Sequence, residues 1–208
     1  MPAPISRRFD PGNYWEGVSP DQDVDPNNVV RYCLKQHHLC LRERLRSKQY
    51  MPHTLVVFVD GSYQYNEHHG QRIGGYGCYF GPSSRYNVSE CLPSNRPQTS
   101  NRAELHASIG ALQTIRDCIP ESSQPEDVVV ITDSRYVYRG ITEWIFAWRA
   151  NGWMRRGRRR VENRDLFEKL DALVVEFGQC GVSVRFWRVP RARNTKADEL
   201  AREASSAP

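Results

Sequence analysis

The sequence predicts an α/β domain with a mixed five-stranded sheet and helices on both faces of that sheet. Short β-branched runs at 55–59 and 128–131 are typical of strands that are buried on both faces. Longer segments between the predicted strands, such as 101–118, repeat apolar residues with the period of a helix. This alternation of strands and helices is the pattern of an α/β fold.

The order of the segments predicts the topology. Three leading strands form an antiparallel meander, and the later strands join in parallel through helical crossovers. Strands are expected at 55–59, 74–80, 85–92, 128–131 and 182–189, and helices at 101–118, 134–148 with an interruption near Gly140, 165–177 and 194–204.

The first 52 residues differ in character from the rest. Pro, Gly, Asp and Asn are frequent in 11–28, which predicts a loop, whereas 29–49 has the pattern of an amphipathic helix. Met51-Pro52 is a natural boundary because the residue before a proline avoids helical backbone. We therefore predict a partly helical extension of unknown function over 1–52 and a second unit over 53–208.

The bulk composition narrows the function classes. The 208 residues carry a net charge of +5, which favours polyanionic partners. No apolar run is long enough to span a bilayer, and the first residues have no secretory apolar region. We expect no membrane association and an intracellular protein, nuclear or cytoplasmic, while Arg7 and Arg8 leave a mitochondrial location open.

Six scattered cysteines predict reduced thiols rather than a disulfide framework. Cys33, His37, His38 and Cys40 leave a zinc site open. No second pair of ligands follows them, so an ordinary amphipathic helix is the favoured interpretation of this segment.

Four acidic residues are placed where an active site can form. Asp60 and Asp133 close predicted strands, and Glu104 and Asp198 lie in the first turns of predicted helices. Strand ends and adjoining helix starts meet at one edge of an open α/β sheet. Clustered carboxylates repel one another unless cations neutralise them, and two Mg²⁺ ions in such a site can hydrolyse a phosphodiester. Each acid alone could instead be a cap, a turn or a favourable helix charge.

Five stretches of the chain, taken together, resemble type 1 ribonuclease H between about residues 55 and 204. They are Phe58-Val59-Asp60-Gly61-Ser62, Gln98 to Ala107 around Asn101-Arg102-Ala103-Glu104, Ile131-Thr132-Asp133-Ser134, Ile141 to Trp153, and Asn194 to Ala201 around Ala197-Asp198-Glu199. The resemblance implies a ribonuclease H-like catalytic domain over 53–208. It also implies two Mg²⁺ ions, replaceable by Mn²⁺, on Asp60, Glu104, Asp133 and Asp198, and cleavage of the RNA strand of RNA–DNA hybrids. We expect the protein to be a monomer.

The resemblance also implies a surface for the hybrid. A tryptophan-rich helix and an arginine-rich protrusion follow Asp133, although the tryptophans could be core residues and the arginines a solvated face. Asn163 could be only a helix cap, and Ser100 stands where the family usually has asparagine. The implied contacts are Thr99, Ser100, Asn101, Tyr136, Trp144, Trp148, Trp153, Arg155, Arg156 and Asn163.

Two further positions depart from the family pattern. Pro97 replaces a basic residue that often lies two positions before the threonine, and the loop before the last helix has no histidine. Arg191 or Arg193 could replace that histidine electrostatically, but an arginine cannot shuttle protons near neutral pH. The alternatives to a hybrid endonuclease are therefore a hybrid-binding domain with weak or no catalysis, or a nuclease of the same fold that cuts structured DNA or single strands.

Overall fold

The computed structural model describes residues 6–15, 18, 24–43, 49–120, 123–155, 157 and 159–207. The strands in this part of the chain are β1 Val30–Cys33, β2 His38–Leu41, β3 Thr54–Asn66, β4 Gln71–Tyr79, β5 Val88–Cys91, β6 Asp127–Thr132, β7 Met154–Arg155, β8 Arg159–Arg160 and β9 Ser183–Arg188.

Six α-helices connect or flank these strands. They are α1 Pro26–Val29, α2 Ser100–Cys118, α3 Arg135–Arg139, α4 Ile145–Ala150, α5 Arg164–Gln179 and α6 Thr195–Ser206. A π-helical turn, Gly140–Trp144, joins α3 to α4 at the predicted interruption. Within the described ranges, no helix has the length and apolar character needed to cross a membrane.

The sheet contains the five predicted strands in the predicted arrangement. β3 pairs antiparallel with β4, and β4 pairs antiparallel with β5. β6 lies parallel to β3 on one side and to β9 on the other. The predicted mixed sheet is therefore confirmed, and its first strand is longer than predicted because β3 continues to Asn66.

Two apolar cores lie on opposite faces of the sheet. Side chains alternate along β3, so Val57 and Val59 face a core built with α2 and α5, whereas Val56 and Phe58 face a second core. Helix α6 and the N-terminal segment cover that second face, where Ala197 is buried. Helices on both faces of the sheet were predicted, and the structure has them.

The helix predicted over 29–49 is wrong where the structure describes the segment. Residues 30–41 form a β-hairpin, and its second strand, β2, pairs with β3 at Leu39 and Val56. All four residues of His38–Leu41 are buried. A surface helix needs a polar face, whereas a strand between two neighbours can be buried on both sides. β1 and β2 extend the sheet to seven strands.

The N-terminal segment also supplies apolar residues to the second core. Phe9 and Trp15 are buried there. The ring of Phe9 lies 4.9 Å from that of Trp187 in β9, and Phe9 N donates to Phe186 O at 2.9 Å. The chain before Pro52 and the chain after it therefore share one core, and the predicted division at residue 52 stays a prediction.

If the second core depends on the N-terminal segment, Phe9→Ala should destabilise the protein by about 3–5 kcal/mol, the usual cost of removing a buried aromatic ring. Urea unfolding followed by circular dichroism measures this change. Leu34→Ala is the control, because Leu34 is 79% exposed in the hairpin turn, and it should cost less than about 0.5 kcal/mol. Equal effects of the two variants would contradict a shared core.

Candidate active site

Asp60 lies on β3, and Asp133 directly follows the neighbouring parallel strand β6. The pairing of β3 with β6 ends at Phe58 and Ile131, and Asp60 and Asp133 follow that point on their own strands. Asp133 comes directly after β6 as predicted. Asp60 does not close β3, as the sequence suggested, because the strand continues beside β4. The two carboxylates meet where the parallel strands diverge.

Gly61 lets the third acid approach. A Cβ atom on Gly61 would lie 2.2 Å from the backbone nitrogen of Glu104. Only a residue without a side chain allows α2 to pack so closely on β3. Gly61 N also donates to Asp60 Oδ1 at 2.9 Å. The Asp60-Gly61 pair thus brings a carboxylate and the first turns of α2 together.

Asp60, Glu104 and Asp133 form a compact acidic trio. Each offers a carboxylate oxygen, and these oxygens all lie within 4.8 Å of one another. In the described ranges, this trio is the only group of three or more His, Cys, Asp or Glu side chains that converges in this way. Cys33, His37, His38 and Cys40 form no such group, so the structure does not support the zinc alternative.

Asp198 lies beside the trio but is already paired. Arg191 donates to Asp198 Oδ1 at 2.7 Å, and Arg202 reaches Oδ2 at 2.9 Å. The charge of Asp198 nevertheless contributes to the raised pKa values of Asp60 and Asp133. The fourth predicted ligand is thus at the site, and its two arginines reduce the excess negative charge there.

The pKa values of the trio are raised by burial and by mutual repulsion. Burial, followed by the charge of Asp133, raises the pKa of Asp60 from its ordinary 3.8 to about 7. The pKa of Glu104 is raised well above its ordinary value, first by burial and then by Asp60 and Asp133. The pKa of Asp133 is raised by burial, against an opposing effect of Arg191.

The trio fits a divalent cation. Asp60 Oδ2 and Glu104 Oε2 are buried and have no hydrogen-bond partner among the described residues. A buried carboxylate oxygen without a partner is costly unless a cation or a proton satisfies it. Carboxylate oxygens are the ligands that Mg²⁺ and Mn²⁺ prefer.

Asn194 fixes the start of α6 beside the acids. Its side chain is buried, and Nδ2 donates to Val59 O at 2.9 Å. This bond ties the residue before α6 to the strand that carries Asp60. Asn194 lies in one of the stretches that resemble the family, but its part in placing Asp198 was not predicted.

The two loop arginines point to different places. Arg191 contacts Asp198 and influences Glu104 and Asp133. Arg193 instead donates to Val24 O at 3.3 Å, in the N-terminal segment. Of the two predicted substitutes for the missing histidine, only Arg191 is placed at the acids.

The predicted aromatic contacts differ in exposure. Trp148 and Trp153 are buried in the first core, at 9% and 8% exposure, so packing is their main role in the structure. Tyr136 and Trp144 are partly exposed, and they line an open cavity of about 620 Å³ together with Arg155. Of the four predicted aromatic contacts, Tyr136 and Trp144 are therefore the more exposed.

The arginine-rich protrusion is a small β-hairpin beside this cavity. β7 and β8 pair through Met154 with Arg160 and Arg155 with Arg159. Arg155 forms an ion pair with Glu162 at 2.8 Å. Arg156 and Arg158, which the sequence placed on the same protrusion, lie outside the described residues.

Arg102 forms hydrogen bonds with both Thr99 and Asn163. Thr99 Oγ1 caps α2 by accepting from Arg102 N at 3.2 Å, and Ser100 and Asn101 are exposed in the first turn. The Asn163 side chain makes no capping bond. Its Oδ1 accepts from the Arg102 guanidinium at 3.4 Å and its Nδ2 donates to Tyr136 Oη at 3.2 Å. Asn163 is therefore at the N-cap position of α5, but its side chain bonds to other residues instead of capping the helix.

Comparisons with known proteins agree with this geometry. The family model for RNase H matches residues 52–206. The chain belongs to the ribonuclease H family. A ribonuclease H of Francisella tularensis subsp. novicida is 35% identical over 153 residues, which are 72% of this chain and 90% of the relative.

Two further relatives show how widely the likeness extends. Ribonuclease H1 of Mus musculus is 32% identical over 160 residues, which are 75% of this chain and 52% of the mouse protein. The solved structure of LC9-RNase H1, described as a type 1 RNase H with the type 2 active-site motif, is 28% identical with a TM-score of 0.51. The aligned region covers 76% of this chain and 74% of the LC9 chain.

The raised pKa of Asp60 predicts a pH-dependent cost to the metal-free enzyme. The native state holds this proton more tightly than the unfolded state, so stability falls as pH rises from about 4 to about 7. Asp60→Asn should therefore stabilise the metal-free enzyme by roughly 2–4 kcal/mol at pH 8, and this gain should vanish near pH 4. Thermal unfolding in EDTA measures it.

Glu67→Gln is the control for the loss of one negative charge, since Glu67 is exposed in the turn between β3 and β4. A stability gain for Asp60→Asn that is the same at both pH values, or no larger than that of Glu67→Gln, would contradict the proposed electrostatic cost.

Proposed function

We propose that this ribonuclease H hydrolyses the RNA strand of RNA–DNA hybrids with two Mg²⁺ ions, for which Mn²⁺ can substitute. As a member of the ribonuclease H family, the protein is an enzyme, and the nucleases of this family depend on metal ions. The observation that carries the proposal is the acidic trio, with a buried and unpartnered oxygen on both Asp60 and Glu104.

The carboxylates have a clear role in this proposal. Asp60, Glu104 and Asp133 would hold the cations, and Asp198, which now pairs with Arg191 and Arg202, would be the fourth ligand. The bound cations would activate a water molecule and neutralise the charge of the leaving oxygen.

The surface beside the trio supports a hybrid as substrate. Tyr136 and Trp144 offer aromatic faces at the cavity, and the β7–β8 hairpin adds positive charge. Thr99 accepts from the Arg102 backbone N–H and Asn163 accepts from the Arg102 guanidinium, so both residues lie beside one arginine, where they would contact a DNA phosphate. The exposed Ser100 and Asn101 can reach 2′-hydroxyls in a wide minor groove, which distinguish RNA from DNA.

One observation favours the alternative of hybrid binding with weak catalysis. The described loop before α6 presents Arg191 to the acids, and this side chain already occupies Asp198. A guanidinium there competes with a second cation. We favour the endonuclease, because a protein that only binds hybrids gains nothing from clustering three mutually repelling carboxylates.

A cleavage assay with Mg²⁺ or Mn²⁺ tests the proposal. The hybrid should be cut in its RNA strand, whereas double-stranded RNA, double-stranded DNA and single strands should be cut far more slowly. Cleavage of structured or single-stranded DNA in preference to hybrid would overturn the proposed substrate. Binding of the hybrid without any cleavage would favour the alternative.

Asp133→Asn should reduce hybrid cleavage by more than about 100-fold, beyond the loss that is typical for groups that only support a metal ligand. Hybrid affinity, measured by fluorescence anisotropy in Ca²⁺, should stay within about twofold. Near-full activity of Asp133→Asn would place the metal site elsewhere. Asp117→Asn, at the exposed end of α2, is the matched control.

Arg191→Ala should lower the Mg²⁺ concentration at which the enzyme is half-saturated, because it removes a cation that competes for Asp198. A Mg²⁺ titration of the initial cleavage rate measures this value. Arg193→Ala is the control, because Arg193 bonds to Val24 instead. A higher Mg²⁺ requirement after Arg191→Ala would show that the arginine assists the site rather than competing with metal.

A further inference from the structure

The N-terminal strap, residues 6–10, lies along the outer edge of the sheet. Phe9 N donates to Phe186 O at 2.9 Å, and Phe186 N donates to Arg7 O at 2.8 Å. These two backbone bonds fix the strap beside β9 on both sides of Arg8. The side chains of Arg7 and Arg8 are consequently held at defined positions near the helices that follow Asp133.

Arg7 secures the strap to the framework of those helices. Its guanidinium forms an ion pair with Asp171 of α5 at 2.7 Å. The second oxygen of Asp171 pairs with Arg149 of α4 at 2.7 Å. Arg7 and Asp171 are both buried. The strap, α4 and α5 are therefore joined through one buried carboxylate.

Arg8 reaches the π-helical turn. It pairs with Glu143 Oε1 at 2.8 Å, and Arg139 of α3 donates to the other oxygen, Oε2, at 2.9 Å. The Arg139 guanidinium in turn lies 5.0 Å from the ring centroid of Trp144. Glu143 therefore links an arginine of the strap to an arginine that packs on a tryptophan of the proposed hybrid surface.

The ion pairs of Glu143 lie in the π-helical turn, an irregular segment that side-chain contacts can stabilise. π-helical turns interrupt regular helices and are often found at functional sites. Here the turn spans Gly140–Trp144 and carries both Glu143 and Trp144. The Trp144 ring meets Tyr136 edge-on at 6.3 Å, and Tyr136 is bonded to Asn163. A chain of contacts thus runs from the strap to the proposed phosphate pocket.

We propose that Arg8 is a positioning residue for hybrid binding. Through Glu143 and Arg139 it holds the ring of Trp144 in the orientation that the substrate meets, although Arg8 itself lies in the segment before the family domain. This inference rests on the proposed function, since it takes Trp144 as a contact of the hybrid. It gives the N-terminal segment a part in substrate binding.

Steady-state cleavage of an RNA–DNA hybrid by the 208-residue chain tests the inference. Arg8→Ala should raise KM roughly two- to fivefold, the range expected for loss of a partly exposed ion pair, and kcat should change by less than about twofold. Arg8→Lys, which keeps the charge, should restore most of the affinity. Arg116→Ala, far along α2, is the matched control for the loss of one exposed arginine.

Glu143→Gln separates positioning from simple charge attraction. Removing a negative charge should tighten the binding of a polyanion if bulk electrostatics dominates. Positioning predicts the opposite, a KM raised about as much as in Arg8→Ala, because both arginines lose their shared partner. A lower or unchanged KM for Glu143→Gln would overturn the inference.

A double-mutant cycle between Arg8→Ala and Trp144→Ala completes the test. The effect of Arg8→Ala on KM should disappear in the Trp144→Ala background, and additive effects would overturn the inference. If Trp144→Ala raises KM while Arg8→Ala does not, only the positioning role fails. If Trp144→Ala leaves KM unchanged, the proposed hybrid surface is wrong and the positioning role fails with it.

Discussion

The convergence of three partly or fully buried carboxylates within 4.8 Å of one another is the constraint on which the rest of the structure depends. Such a cluster opposes folding, because burial and repulsion raise the pKa of each member. Two features of the fold hold the cluster together. The parallel strands β3 and β6 diverge at Asp60 and Asp133, and α2 packs closely against Gly61. The strain is electrostatic, and a bound cation would relieve it. The cost to the metal-free fold would therefore contribute to metal affinity.

The second face of the sheet shows how the N-terminal segment serves this arrangement. Phe9 and Trp15 fill a core that also contains Phe58, two residues before Asp60 on the same face of β3. The strap that carries Phe9 also forms ion pairs, from Arg7 to Asp171 of α5 and from Arg8 to Glu143 of the π-helical turn. The segment outside the resemblance is thus built into both the core behind the acids and the support of the proposed hybrid surface.

The sequence allowed most of the fold and the acids to be predicted, because each rested on a local pattern. β-branched runs predicted β3 and β6, and helical periodicity predicted α2 and α5. The hairpin at 30–41 was missed because its apolar residues also fit a helical period, and only the neighbouring strand β3 decides between the two. Contacts such as Arg191 with Asp198 and Arg8 with Glu143 depend on side chains that the fold brings together. Spacing in the sequence carries no signal for them.

Calorimetric titration of the enzyme with Mn²⁺, at about pH 6 and about pH 8 in buffers of different ionisation enthalpy, tests the central claim most directly. Below a pKa of about 7, Asp60 holds a proton that the cation must displace. We expect Mn²⁺ to bind more weakly and to release protons at the lower pH, and to bind more tightly with less proton release at the higher pH. An affinity for Mn²⁺ and a number of released protons that are the same at both pH values would contradict this expectation.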